Sequence, residues 1–174
     1  MSVVNKLFKS RGVIVEMLEL RGYDVSQYKN FSINEIEAMF KASEKKTTAQ
    51  LGSLDMTVVN SLGGRLHIKY LLASKLRSAN FKSLIDEMLD TVLQSGEELI
   101  FILKDSVNNM DTFDSMLEGY LTTSNVFIQI FSLDNLLFNI TKHELVPKMR
   151  IMNPDESASV LERFSAKPSQ MPQI

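Results

Sequence analysis

Apolar residues recur at helical spacing near the start of the chain and again after a short polar interval. The first such stripe predicts a helix from about Val3 to Arg21, with Gly22 following it as a C-terminal cap. Ser32 and Glu35 have the spacing of a capping box, in which each side chain bonds to the other's backbone amide. A second, shorter helix is therefore predicted from Ser32 to about Ala42.

Polar and apolar residues then alternate in a way typical of strands. The pattern predicts a β-hairpin formed by 56–60 and 65–71, joined by the turn Ser61-Leu62-Gly63-Gly64. In the second strand, one side is expected to face the core and the other to be solvated and basic. The expected core side is Leu66, Ile68 and Tyr70, and the expected basic side is Arg65, His67 and Lys69.

Two unbroken apolar runs follow an amphipathic helix that is predicted over 81–93 and stopped by Gly96. The runs are Leu99–Leu103 and Val126–Phe131, and a helical segment separates them. Such runs are typical of strands buried on both faces, and the intervening helix makes the two strands parallel. Residues 1 to about 134 are thus predicted to form an α/β domain of mixed sheet and packed helices, in a chain that is α+β overall.

The last forty residues have a different character. Leu136–Ile140 is expected to be extended, and Pro147 interrupts the chain. Asn153-Pro154-Asp155-Glu156 combines an N-cap, a proline at the first helical position and a carboxylate at the third, which predicts a short helix closing near Phe164. A segment this small is a poor stand-alone fold, so we expect it to need a partner or more chain.

Composition narrows the class of protein. The chain has 174 residues, of which 44% are hydrophobic, no cysteine, and a formal net charge of −2. The length and apolar fraction allow one medium domain or two small ones, and the absence of cysteine excludes disulfide frameworks and thiol catalysis. With no signal-peptide pattern and no apolar stretch that would span a bilayer, the sequence predicts a soluble protein without a membrane partner.

No catalytic motif is complete. His143-Glu144 begins like the zinc-protease motif H-E-x-x-H, but Pro147 replaces its second histidine. The glycine pair Gly63-Gly64 lies in a predicted hairpin, so phosphate-binding loops are not indicated, and no G-x-S-x-G pattern is present. We therefore expect no catalytic residue, no metal site and no cofactor.

A basic patch begins in the predicted hairpin and has no carboxylate until Asp86. It consists of Arg65, Lys69, Lys75, Arg77 and Lys82. Arg65, His67 and Lys69 would repel a divalent cation, so the hairpin is poorly suited to metal-dependent nuclease chemistry. The patch is either a solvated surface or a sequence-independent contact to a nucleic-acid backbone, and charge runs usually need no partner.

The final segment carries the most specific pattern in the chain. It contains Asn139-Ile140-Thr141, His143-Glu144-Leu145-Val146-Pro147, and Gln170, Pro172 and Ile174, together with Glu156, Leu161 and Arg163. In this spacing it closely resembles the fifth, shared subunit of eukaryotic DNA-directed RNA polymerases and the archaeal counterpart of that subunit. Upstream, Arg21–Gln27 is similar to a motif that follows the family's first helix, and 108–115 lies where the eukaryotic subunits have a loop.

The resemblance implies two domains. Residues 1–135 would form an N-terminal jaw domain beside downstream DNA, with a nuclease-like fold but no nuclease site, and residues 136–174 a C-terminal assembly domain that docks on the largest subunit. The implied interface is Asn139, Ile140, Thr141, His143, Glu144, Leu145, Val146, Pro147, Gln170, Pro172 and Ile174. The candidates for contact with the DNA backbone are Arg65, Lys69, Lys75, Arg77, Asn108 and Asn109.

The implied function is that of a non-catalytic polymerase subunit in transcription, with the largest subunit, neighbouring small subunits and downstream double-stranded DNA as partners. The DNA contact would be weak and non-specific. The alternatives are a metal-dependent nuclease-like protein and a free adaptor or transcription factor that shares the tail. For His143 and Glu144, the alternative to docking is that they pair with each other or cap a turn.

Several positions depart from the family's pattern. Met149 occupies a position where the family commonly has a histidine, Phe164 one with a tyrosine and Gln173 one with an arginine. In the expected loop, Asp111 and Asp114 would repel DNA. The assembly domain is expected to be incomplete at Ile174, where the family continues. The divergence of the first two-thirds also fits a version from a large DNA virus. An intracellular location follows, in the nucleus for a cellular eukaryotic protein, or in host cytoplasm and virion for a cytoplasmic virus.

Overall fold

The structure is a computed structural model that describes residues 1–43, 49–72, 78–106, 110–147 and 152–167, without the side chains of 78 and 110–112. Helices and strands alternate along most of this chain. The elements are α1 (Val3–Leu20), α2 (Ile33–Ser43), β1 (Met56–Val59), β2 (Arg65–Leu71), α3 (Ser78–Thr91), β3 (Glu98–Leu103), α4 (Met110–Ser124), β4 (Phe127–Ser132) and α5 (Pro154–Phe164).

The four strands form one mixed sheet in the order β1-β2-β3-β4. β1 and β2 are antiparallel, with Met56 opposite Ile68, whereas β2, β3 and β4 are parallel to one another. Helices α3 and α4 make the crossovers that parallel neighbours require. The hairpin, the parallel pair and the mixed α and β architecture predicted from the sequence are confirmed.

Each face of the sheet has its own apolar cluster. On one face, residues of α1 and α2 such as Leu18 and Ile36 pack with Ile68. On the other face, α3 and α4 pack on β3 and β4, where the ring of Phe81 meets Phe101 edge to face with 4.7 Å between centroids. The sheet is therefore covered on both sides, which explains why β3 is an almost unbroken apolar run.

The first two helices begin and end where the sequence indicates. Gly22 has φ of +81°, which a glycine adopts without strain, and it follows the C-cap of α1. At α2, the Ser32 hydroxyl accepts from the Glu35 amide, and the Glu35 carboxylate accepts from the Ser32 amide at 2.7 Å. The predicted capping box is confirmed.

The outer edge of β1 is covered by the segment that joins α1 to α2. The Tyr28 hydroxyl donates to the Thr57 carbonyl at 3.0 Å and accepts from the Thr57 amide at 2.8 Å. The Asp24 amide donates to the Val59 carbonyl at 3.0 Å. The opposite edge strand, β4, pairs with β3 alone among the described strands, and Phe127 on it is exposed.

Two local predictions are wrong. The segment Leu136–Ile140 is not extended, because 3₁₀ turns occupy Leu133–Leu136 and Ile140–Lys142. The Asn135 side chain accepts from both the amide and the hydroxyl of Ser132 at the first turn, and such side-chain bonds compete with an extended backbone. Residues 110–115, which the resemblance placed in a loop, belong to α4, where Phe113 packs in the core.

The chain divides into two compact units, Met1–Asn139 and Ile140–Ile174. Both apolar clusters lie in the first unit. In the second, the predicted helix is confirmed as α5, where the Asn153 side chain accepts from the Glu156 amide at 2.8 Å. α5 has no buried residue. None of the helices in the described ranges is long and apolar enough to cross a membrane.

Candidate functional site

The predicted basic side of β2 is exposed only at its first residue, Arg65. His67 and Lys69 are each only 3% exposed, so the predicted wet, basic face is wrong. β2 lies between β1 and β3, and an interior strand of a covered sheet buries both of its sides. Buried charges occur in proteins when they are paired and hydrogen-bonded, and both residues have such partners.

Lys69 is neutralised by an aspartate that precedes β1. Its Nζ lies 3.2 Å from Asp55 Oδ2 and donates to the Gln50 carbonyl at 2.7 Å. The other oxygen of Asp55 accepts from the Tyr70 amide at 2.7 Å. The side chains of Lys69 and Asp55 are 4% and 5% exposed. Lys69 therefore ties the segment before β1 to β2 and cannot contribute to a surface that contacts DNA.

The side chain of Glu97, which lies just before β3, has three hydrogen-bonding partners. It accepts from Arg65 Nη1 at 3.0 Å and from the Gln94 amide at 2.9 Å, and lies 3.1 Å from His67 Nε2. Burial lowers the pKa of His67, an effect that Glu97 opposes only in part. The neutral ring donates from Nε2 to Glu97 and accepts at Nδ1 from the Thr57 hydroxyl, which is 3.0 Å away.

These pairs leave Arg65 and Lys82 as the exposed cations of the predicted basic patch within the described residues. The Arg65 side chain is 43% exposed although it bonds to Glu97. Lys75, Arg77, Asn108 and Asn109 lie outside the described ranges. Of the described candidates for contact with the DNA backbone, Arg65 therefore remains and Lys69 is excluded.

The acidic partners were missed because they are distant in sequence from the cations that they neutralise. Asp55 and Glu97 each come just before a strand, and only the sheet brings them beside β2. Among the residues described, no group of three His, Cys, Asp or Glu side chains is arranged to hold a metal ion. Each of the two buried carboxylates is engaged by a cation and an amide, an arrangement that stabilises the sheet.

The predicted docking segment lies on the surface. Ile140 and Leu145 are 61% and 81% exposed, and residues 141–144 and Pro147 are exposed as well. The Leu145 amide donates to His143 Nδ1 at 3.2 Å, so His143 caps a turn. Asn139 is half-buried and donates from Nδ2 to Glu16 Oε2 at 3.1 Å. Gln170, Pro172 and Ile174, together with Met149 and Gln173, lie outside the described ranges.

The first unit is a domain of α and β layers, and the second is a small unit with exposed apolar residues. Residues 138–174 match the family model for the C-terminal domain of RNA polymerase Rpb5. The resemblance to the fifth polymerase subunit is thereby confirmed for residues 138–174.

Relatives extend the similarity beyond this domain. The chain is 25% identical to DNA-directed RNA polymerase V subunit 5A of Arabidopsis thaliana, over 92% of this chain and 68% of that protein. It is also 25% identical to the subunit rpabc1 of polymerases I, II and III of Dictyostelium discoideum, over 100% of this chain and 81% of that protein. Subunit Rpo5 of Pyrococcus horikoshii is 49% identical over 37 residues, which are 21% of this chain and 45% of that protein.

Proposed function

We propose that this chain is a non-catalytic subunit of a multisubunit DNA-directed RNA polymerase and docks on the largest subunit through residues 139–147 and the end of the chain. The relatives are named as polymerase subunits, which supports the class. One observation carries the docking proposal: the matched Rpb5 C-terminal domain coincides with the segment that exposes Ile140, Leu145 and Phe164.

The physical argument rests on burial. α5 contributes no fully buried residue, and its apolar positions Val160 and Leu161 are only half-buried. Isolated helices of this length are marginal in water and depend on packing for most of their stability. Exposed apolar residues grouped along one short segment are typical of a protein interface. A partner surface would supply the burial that this domain lacks.

The docking proposal is tested by co-expression with the cognate largest subunit and affinity purification. We expect Leu145→Asp to abolish stoichiometric recovery, because it places a charge in an apolar contact. Leu62→Asp is the matched control, since Leu62 is 93% exposed in the hairpin turn of the first unit. Equal recovery of both variants, or absence of the wild-type chain from the purified polymerase, would contradict the proposal.

The first unit is proposed to line the downstream DNA channel as the jaw domain. The exposure of Arg65 supports it as a candidate for sequence-independent contact, with Lys75, Arg77, Asn108 and Asn109 as further candidates. In the assembled polymerase, Arg65→Glu with Arg77→Glu is expected to weaken binding of downstream duplex and to lower its dependence on salt. The double variant Lys9→Glu with Lys41→Glu, at exposed positions on α1 and α2, is the charge-matched control. Unchanged affinity across salt concentrations would dispose of the DNA contact.

The remaining alternatives are a nuclease-like protein and a free adaptor. A cleavage assay on the isolated chain with Mg²⁺ separates the first from the subunit proposal, since robust cutting would indicate catalysis. Failure to purify with any largest subunit would favour the adaptor. The location that follows from the proposal is the nucleus for a cellular eukaryotic protein, and a viral origin stays a prediction.

A further inference from the structure

A groove of about 360 Å³ opens between the first half of α1, the turn at residues 26–31 and α2. It belongs to the first unit and lies apart from the docking segment in sequence. Its walls combine apolar and cationic side chains, among them Phe8, Val15, Phe31, Lys9, Arg11 and Lys29. A groove of this size accepts one or two side chains of a ligand.

Arg11 is an unusual residue for the apolar stripe of α1. It is 4% exposed, and its Nη1 donates to the Leu54 carbonyl at 2.5 Å. The guanidinium lies 5.6 Å from the ring centre of Tyr28 and 5.1 Å from that of Phe31. These contacts hold the side chain in place, but they do not neutralise its charge.

The charge of Arg11 has no anionic partner among the described residues. The polar neighbours of its guanidinium are neutral, namely the Leu54 carbonyl and the buried Tyr70 hydroxyl, and no ion pair joins it to a carboxylate of that part of the chain. A buried cation without a counter-charge is costly, and arginine favours carboxylates because its planar donors match their geometry. Lys9 adds an exposed positive charge at the groove, whereas Lys29 is already paired with Glu19.

We propose that this groove binds a short acidic segment of a partner polypeptide. A carboxylate of the segment pairs with Arg11, and an adjacent apolar side chain packs against Phe8 and Phe31. The positive charges of Arg11 and Lys9 favour an acidic residue. The apolar walls favour a peptide, because a peptide can supply an apolar side chain next to that residue. A phosphate of duplex DNA has no apolar group to bury against Phe8 and Phe31, so the apolar walls favour a peptide over nucleic acid.

Gly12 provides a way to close the groove without disturbing the core. It lines the groove, it is exposed, and a Cβ added there would meet no atom within 4 Å. Gly12→Leu therefore fills the groove and also favours the helix. Gly119 on α4 is a matched control, because it is likewise helical and exposed, with nothing within 4 Å of an added Cβ.

The test is fluorescence anisotropy with the full chain and two labelled hexapeptides, Leu-Asp-Phe-Glu-Leu-Asp and its neutral counterpart Leu-Asn-Phe-Gln-Leu-Asn. The acidic peptide is expected to bind at least about tenfold more tightly than the neutral one, a difference of about 1.4 kcal/mol. Gly12→Leu should weaken binding of the acidic peptide at least about tenfold, and Gly119→Leu should leave it unchanged. Lys9→Glu should weaken the acidic peptide and not the neutral one.

Three outcomes would overturn the proposal. They are equal binding of the two peptides, wild-type binding of the acidic peptide by Gly12→Leu, and displacement of the acidic peptide by duplex DNA. The last result would assign the groove to nucleic acid. Because the isolated chain is measured without other polymerase subunits, each outcome is independent of whether the chain assembles into a polymerase.

Discussion

A lysine and an aspartate that are both almost fully enclosed decide how β2 holds the segment before β1. Lys69 and Asp55 lie 3.2 Å apart at the edge of the core. Removing one member of such a pair leaves the other charge buried without compensation. We expect Lys69→Ala to lower the free energy of unfolding by about 3–5 kcal/mol, measured by urea denaturation.

Lys82→Ala provides the comparison for this prediction. Lys82 is exposed on α3, and exposed substitutions usually change stability by less than about 0.5 kcal/mol. If the two variants unfold at the same urea concentration, Lys69 is a surface residue after all and the burial described for β2 is incorrect.

The buried histidine makes stability depend on pH. Burial lowers the pKa of folded His67, so below its unfolded value of about 6.5 the unfolded chain binds more protons than the folded one. Its contribution is therefore complete above that pH and declines as pH falls through the pKa of the folded state. Denaturation curves at intervals from about pH 7.5 to about 5.5 should show a smaller decline in His67→Gln than in the wild type.

The exposed histidine separates this effect from general acid sensitivity. His143→Gln should retain the wild-type decline, because His143 lies on the surface. A His67→Gln variant with the same slope as the wild type would show that His67 is protonated equally in both states.

The sequence was least informative about the surroundings of individual polar residues. Alternation along β2 located its core side correctly through Leu66 and Ile68, yet it could not tell a solvated polar side from one that is buried and paired. That distinction depends on Asp55 and Glu97, which only the assembled sheet brings close. Arg11 did leave a signal, since it interrupts the apolar stripe of α1 between Leu7 and Ile14.

Among the elements, α5 depends most on its own ends. Asn153 and Glu156 satisfy each other's backbone amides, and no residue of the helix is fully buried. Asn153→Ala removes this cap and should cost the helix about 0.5–2 kcal/mol. Backbone chemical shifts of 154–164 in the full chain should move toward random-coil values.

Ser159→Ala is the control for Asn153→Ala. It tests whether loss of helicity comes from removing the cap or from removing any polar side chain. Ser159 is exposed inside α5, and alanine is the better helix former there. Its shifts should stay helical or become more so. Equal loss of helicity in the two variants would mean that the capping box does not stabilise α5.

Elements with strong periodicity or a cap were predictable, whereas segments governed by local side-chain bonds were not. The capping boxes of α2 and α5 place their starts within a residue or so, because the signal lies in the sequence itself. The 3₁₀ turns after β4 form because Ser132 and Asn135 bond to each other. This bond depends on side-chain geometry, which the pattern of apolar and polar residues does not show.

For the molecule as a whole, we expect residues 1–139 to fold alone. Both apolar clusters and all four described strands lie within this unit. A truncated chain ending at Asn139 should therefore unfold cooperatively, with a thermal midpoint within a few degrees of that of the full chain, because no core side chain is removed. Differential scanning calorimetry of both chains makes the comparison.

A truncated chain that lacks a cooperative transition would contradict this expectation and the proposed division into jaw and assembly domains. The control is a chain ending at Asp134, which removes Leu136 from the cluster on α1. Loss of a buried leucine should lower its midpoint further than removal of the second unit does.

The cover over β1 also limits how copies of this chain can associate. Because the Tyr28 hydroxyl occupies both backbone groups of Thr57, a new strand cannot add at that side. Two molecules that paired through β4 would join their open edges and present sealed ones at both ends. Association of these sheets would thus terminate at a symmetric pair, so an apolar edge strand does not commit the protein to open-ended fibres.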